Sequence, residues 1–122
     1  MNRLLGLLWL TAGLALAQHS VDLAWGASAT DASHDAPSTY NVKRASVSGG
    51  PYVVVPGGSV NANQVTFTDV GSASNPMNSG QHFFYVITAQ NSFGESGPSP
   101  EVAVTIPGFP PNVPGRPTAI AH

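Results

Sequence analysis

The sequence contains no cysteine, and only 8% of its residues are charged. Without cysteine, the chain has no disulfide framework, no thiol nucleophile and no zinc site with cysteine ligands. Four Lys and Arg residues stand against six Asp and Glu residues, so the formal net charge is −2 at pH 7. The sequence has no basic patch for nucleic acid and no acidic run for a polyelectrolyte, and neither class of partner is expected.

Glycine and proline, by contrast, are abundant, with 13 and 11 residues in a chain of 122. At the same time 42% of the residues are hydrophobic. This combination is typical of many short strands joined by tight turns rather than of a disordered chain. The length is enough for one domain.

The first 17 residues have the three parts of a secretory signal peptide. Arg3 gives a positive start, residues 4–14 form an apolar stretch too short to span a bilayer, and residues 15–17 form an Ala-x-Ala cleavage site. We expect cleavage before Gln18, export of the bacterial type, and a secreted, extracellular or periplasmic product without membrane insertion. The alternative for this segment is a buried N-terminal helix.

Six later segments alternate between apolar and polar residues or are rich in β-branched and aromatic residues. They are residues 21–25, 39–45, 52–55, 65–69, 82–90 and 101–106. Short strands separated by turns predict an antiparallel β-sandwich. Shared parity along these strands predicts a common core of Trp25, Tyr40, Val42, Phe67, Phe83, Tyr85, Ile87, Val102 and Val104.

The segment from residue 80 to residue 98 carries a recurring pattern of glycine, aromatic, aliphatic and asparagine positions. Its eight positions are Gly80, Phe83, Tyr85, Ile87, Ala89, Asn91, Gly94 and Ser96. The pattern resembles the late-strand signature of fibronectin type III domains, which implies an immunoglobulin-like antiparallel β-sandwich over residues 18–107. The sequence departs from the family at Phe83, where a tyrosine hydroxyl usually makes the tyrosine corner. We therefore expect packing to stabilise that end of the domain.

Two surfaces are candidates for binding a partner. The first is the sheet face opposite to the core, with an apolar centre and a polar rim; its residues are Phe84, Val86, Lys43 and Asn41. The second consists of the loops at 26–38 and 91–98, the latter including Phe93, because loops on a rigid sandwich often carry function.

The sequence offers little for catalysis or for cofactors. Asp31, His34 and Asp35 are residue types that bind metals, but their spacing matches no calcium loop, so a solvated loop without metal is predicted. No nucleophile, base and orienting group stand in a recognisable pattern, and neither a P-loop nor a dinucleotide motif occurs. We expect a non-enzymatic interaction module that binds a protein or carbohydrate partner outside the cell, with a self-assembling structural subunit as the alternative.

The C-terminal tail, residues 108–122, is rich in proline and ends in a segment that resembles the first strand of a fibronectin type III domain. That strand has no room before Val21. Pro117, Thr118 and Ile120 are therefore candidates for self-docking beside the first strand. We expect the tail to fold back onto its own domain; the alternatives are insertion into a second copy, which builds a head-to-tail filament, and an unanchored tail.

Overall fold

The computed structural model describes residues 19–122. The predicted signal peptide, residues 1–17, lies outside the described residues. Residues 19–122 form seven strands and no helix, so no helix in this range has the length and hydropathy needed to cross a membrane. The strands are β1 (Val21–Ala24), β2 (Thr39–Ala45), β3 (Val53–Asn61), β4 (Thr66–Asp69), β5 (His82–Asn91), β6 (Gly94–Glu95) and β7 (Val102–Thr105).

The strands form two antiparallel sheets. β1 pairs with β4, with Leu23 opposite Phe67. The larger sheet has the order β3-β2-β5, and β5 pairs on its other side with both β6 and β7. Residues of both sheets share one buried cluster, so the predicted β-sandwich is confirmed.

The core lies between the sheets and follows the predicted parity in most places. Tyr40, Val42, Phe83 and Tyr85 are buried as predicted. Trp25, Phe67, Ile87 and Val104 are partly buried, and all four pack against the core cluster. The prediction for Val102 is wrong, because this residue is 52% exposed. Three further residues of the core cluster were not predicted: Val55, Met77 and Ile106.

The exposure of Val102 has a physical cause in the topology. Val102 lies opposite Tyr85, so it belongs to the inner face of the larger sheet. β4 contacts β3, so the free edge of β1 lies on the β7 side of the sandwich. Within residues 19–122 no further strand extends the two-stranded sheet in that direction, and the inner face of β7 is left uncovered at Val102.

β3 is longer than predicted because Pro56, Gly57 and Gly58 do not end it. The register with β2 shifts here, and the extra residues of β3 form a bulge opposite Val42. Gly57 has a φ of 73°, which favours glycine. A Cβ atom on Gly58 would lie 2.7 Å from Val55 Cγ2 and 2.9 Å from the Val42 carbonyl oxygen. Glycine at 58 thus allows the strand to continue through the bulge.

A buried polar cluster links the sheets where we expected only packing. The Arg44 Nη1 and Asp69 Oδ2 atoms are 2.8 Å apart, and the Tyr85 hydroxyl donates to the same oxygen at 2.7 Å. The Arg44 guanidinium also lies over the Phe83 ring, 4.7 Å from its centroid. Phe83, which lacks the tyrosine hydroxyl, is therefore stabilised by a cation–π contact with Arg44. Tyr85, two residues later, supplies a buried hydrogen bond to Asp69 instead.

The C-terminal tail does not dock on its own domain. Residues 107–122 are exposed and form no strand, and Ile120 is 81% exposed. The intramolecular docking that was predicted for Pro117, Thr118 and Ile120 is therefore wrong.

Candidate functional site

The two candidate loops, 26–38 and 91–98, meet at one end of the sandwich. Ser38 N donates to the Gln90 carbonyl at 2.8 Å, and Asn91 Nδ2 donates to the Ala36 carbonyl at 3.3 Å. These bonds join the start of β2 to the end of β5. The structure thus places two loops that are distant in sequence on a single surface, which we call the loop end.

Phe93 is at the tip of the loop end and is 85% exposed. Its backbone N–H donates to Asn91 Oδ1 at 2.8 Å, which is the hydrogen bond of an Asx turn. Gly94 follows with a φ of 148°, a conformation that side chains rarely adopt. The turn therefore holds the aromatic ring out from the domain, although an exposed ring of this size is unfavourable in water.

A groove of about 380 Å³ lies beside Phe93 between the two loops. Its polar lining includes Ser33, His34, Asp35 and Glu95. A concave surface with an exposed aromatic ring at its rim is suited to a side chain or a short segment of a partner.

Asp31 and His34 are joined in a compact turn. Asp31 Oδ1 accepts from the Ser33 N–H at 2.8 Å and contacts His34 Nδ1 at 2.8 Å. The hydrogen bond from the Ser33 N–H, followed by the contact with His34, holds the pKa of Asp31 below its usual value. Asp35 does not join this turn. No group of three metal-ligating side chains occurs in the described range.

The predicted surface on the outer sheet face differs from an open apolar patch. Val86 is only 3% exposed, and Asn41 is also buried. Phe84 is half-buried and Lys43 is partly covered. The prediction that Val86 and Asn41 are accessible on this face is therefore wrong, although both point away from the core as expected.

Contacts with Glu95 are the first reason why Asn41 and Lys43 are covered on this face. Its Oε2 atom lies 2.7 Å from Lys43 Nζ and accepts from Asn41 Nδ2 at 3.2 Å and from the Thr88 hydroxyl at 2.5 Å. The Lys43 contact, followed by Thr88 and Asn41, lowers the pKa of Glu95 to about 2. Asn41 and Lys43 are thus occupied by contacts within the domain.

The turn between β2 and β3, residues 46–52, is the second reason. Ser48 Oγ and Gly49 N donate to Glu101 at 2.7 and 2.8 Å, and the Tyr52 hydroxyl donates to Glu101 as well. The hydrogen bond from Tyr52, followed by those from Gly49 and Ser48, lowers the pKa of Glu101. Glu101 precedes β7, which β5 separates from β2. The turn must therefore cross β5 on the outer face, above Phe84 and Val86.

One serine–histidine contact lies outside the loop end. His19 Nε2 is 3.1 Å from Ser79 Oγ, and the His19 ring stacks on Phe109 with 4.2 Å between the ring centroids. Within residues 19–122 no carboxylate hydrogen-bonds to His19, so the pair lacks the orienting group of a catalytic triad. Its stacking instead holds the start of the tail beside the start of β1.

Comparison with solved structures finds nine similar chains, including the following two. An Fn3-like protein from Clostridium thermocellum is 28% identical, with a TM-score of 0.54; the match covers 75% of this chain and 80% of that one. The twitchin kinase region from C. elegans, which contains Fn3 and Ig domains, is 22% identical with a TM-score of 0.59. That match covers 77% of this chain and 15% of the twitchin region.

No family model matches the sequence, and the search of curated proteins gave no match.

Proposed function

Since the described chain is a fibronectin type III domain in its fold, we propose that the protein is a secreted, non-enzymatic interaction module that binds a protein partner through its loop end. The single observation that carries this proposal is the position of Phe93. It is 85% exposed and fixed by a tight turn beside a groove. Aromatic residues of this kind often supply much of the binding energy of an interface.

The lining of the groove favours a protein partner over a carbohydrate. Flat sugar rings are usually stacked on an open platform of aromatic side chains, and among the described residues Phe93 is the one Phe, Tyr or Trp that lines this groove. An aromatic anchor with polar neighbours is typical of protein interfaces. The exposed carboxylate of Asp35 belongs to that polar rim.

Secretion is supported by the sequence alone. Residues 1–17 have the charge, apolar stretch and cleavage motif of a signal peptide. Absence of cysteine makes the domain independent of the redox state of its compartment. The proposed location is therefore outside the cytoplasm.

The test is capture of a partner by the immobilised chain. The probes are the extracellular and cell-surface proteins of the source organism and, separately, a glycan array. We expect a protein to be retained and Phe93→Ser to reduce its retention about tenfold or more. Val53→Ser is the matched control, because Val53 is 68% exposed and lies towards the opposite end of the domain, opposite Arg44.

Retention that is equal for the wild type and Phe93→Ser would contradict the proposal. Binding to the glycan array without any retained protein would contradict its choice of partner class.

A second candidate function is a structural subunit that joins copies of itself head to tail. It is favoured by the undocked tail together with the free edge of β1 within the described part of the chain. An unpaired edge strand readily pairs with another chain.

A further inference from the structure

We propose that residues 118–121 of a second copy pair with the free edge of β1 as an added antiparallel strand. This inference rests on the second candidate function and does not depend on Phe93. It names both the site on the sandwich and the segment that fills it.

The free edge of β1 has unpaired backbone groups. Trp25 N donates to the Val65 carbonyl at 3.0 Å, so the N–H and C=O groups of Leu23 and Trp25 point towards β4. Because these groups alternate along an antiparallel strand, those of Asp22 and Ala24 point the other way. Among residues 19–122 no strand pairs with them.

The space beside this edge has two further signs of a missing strand. Val102, on the inner face of β7, is 52% exposed on that side of the sandwich. A groove of about 330 Å³ lies just beyond the end of β1, between Trp25 and residues 96–100. Trp25 Nε1 is buried and, within the described range, has no hydrogen-bond partner. Buried polar groups are nearly always paired, so this N–H group calls for an acceptor from outside the described fold.

The tail has the composition that this space needs. Residues 118–121 contain no proline, so every backbone N–H is available for pairing. Ile120 is 81% exposed and is the only large apolar side chain of the segment. If Ile120 faces Leu23, it lies on the inner face beside Val102, and Ala119 and Ala121 stand opposite Ala24 and Asp22.

Charge favours the same contact. All six acidic residues lie in the range 19–106, whereas the tail carries Arg116 and no acidic residue. The side chains of the sandwich therefore carry a net negative charge and those of the tail one positive charge, which favours their encounter.

The path of the tail favours a second copy over the same chain. Phe109 stacks on His19, so the tail starts beside the beginning of β1. A tail continuing from there along its own β1 would be parallel to it. Antiparallel pairing, which is slightly more stable, would require the stiff proline connector to span the domain and turn back. The tail of another copy has no such restriction, and repeated head-to-tail contacts form an open chain.

The experiment measures the mass of the full chain by sedimentation velocity over a range of concentrations. We expect the average mass of the wild type to rise with concentration and Ile120→Asp to remain a monomer. Val113→Asp is the matched control: it adds the same charge to another exposed tail residue and should assemble like the wild type. Ala24→Pro should also remain a monomer, because it removes a free-edge N–H without touching the bonds to β4.

The decisive sample is a mixture of Ile120→Asp and Ala24→Pro. The first variant keeps an intact edge and the second an intact tail, so the mixture should form a 1:1 dimer. Ile120→Asp mixed with an Ala119→Pro variant should not, because Ala119→Pro removes a tail N–H that pairs with the edge and both tails are then blocked.

Four results would overturn the inference: a monomeric wild type at every concentration, loss of assembly in Val113→Asp, a monomeric mixture, or a lower melting temperature of Ile120→Asp without any change in mass. Phe93→Ser should assemble normally, so failure of the loop-end proposal remains distinguishable from failure of this one. If Ala24→Pro does not fold, Ala119→Pro in the exposed tail replaces it as a blocked variant, and its mixture with Ile120→Asp should stay monomeric.

Discussion

Arg44 and Asp69 form a buried ion pair that links the larger sheet to the two-stranded sheet. Their Nη1 and Oδ2 atoms are 2.8 Å apart, and their side chains are 7% and 2% exposed. Asp69 also accepts hydrogen bonds from the Tyr85 hydroxyl and, at 3.0 Å, from the Gly71 N–H. The Asp69 carboxylate thus links β4 to β2 and β5 of the larger sheet, and it also fixes the loop that follows β4.

Asp69→Asn should destabilise the domain by about 3–5 kcal/mol, because it leaves the Arg44 charge buried without a counter-ion. Chemical denaturation monitored by circular dichroism measures the change. Asp35→Asn is the matched control, since Asp35 is exposed. Equal stability of the wild type and Asp69→Asn would show that the pair does not hold the sheets together.

Tyr85 should make the domain less stable at alkaline pH. Burial, followed by the hydrogen bond to Asp69, raises the pKa of Tyr85 well above its usual value of 10.0. The folded state therefore keeps the proton more tightly than the unfolded state, and this contribution is complete below pH 10 and decreases as the pH rises above it. Thermal melts from pH 8 to pH 11 should show a steeper decline for the wild type than for Tyr85→Phe. Parallel declines would reject this role.

Glu95 should contribute stability that is lost in acid. Its pKa is lowered to about 2 from the usual 4.5, so the contribution is complete above pH 4.5 and disappears as the pH falls towards 2. Glu95 is partly exposed, and we expect no more than about 1 kcal/mol after screening by solvent. The stability difference between the wild type and Glu95→Gln should shrink over this pH range. A difference that is independent of pH would contradict the ion pair with Lys43.

Gly58→Ala should destabilise the bulge in β3 by about 1–3 kcal/mol. The added Cβ would approach the Val42 carbonyl oxygen to 2.9 Å, and backbone atoms cannot move aside cheaply. Gly26→Ala is the control, since a Cβ at Gly26 meets no atom within 4 Å. Unchanged melting of Gly58→Ala would mean that β3 has another path through the bulge.

The sequence predicted the elements that depend on local patterns. β2 has the predicted bounds, and the start of β5 and its inward aromatic residues, Phe83 and Tyr85, were also predicted correctly. Alternation over seven to ten residues leaves one consistent way to bury such side chains. The late-strand signature of the family covers this same region.

What the sequence did not predict depends on contacts between distant residues. Arg44 and Asp69 are 25 positions apart, and no local pattern marks them as partners. The turn at 46–52 crosses the outer face because Glu101, far along the chain, accepts three hydrogen bonds from it. The alternation of residues along β5 shows that Val86 points away from the core, but it cannot show that a distant turn covers this side chain. Val86 was therefore predicted to be exposed, whereas it is buried.

The central claim, that the loop end is the binding surface, is tested most directly by site-specific photo-crosslinking. A photoreactive side chain is placed at position 93 in one protein and at position 53 in another, and both are exposed to the extracellular and cell-surface proteins of the source organism. Our account predicts a covalent adduct with a distinct protein from position 93 and none from position 53. Equal adducts from both positions, or an adduct from position 53 alone, would contradict it.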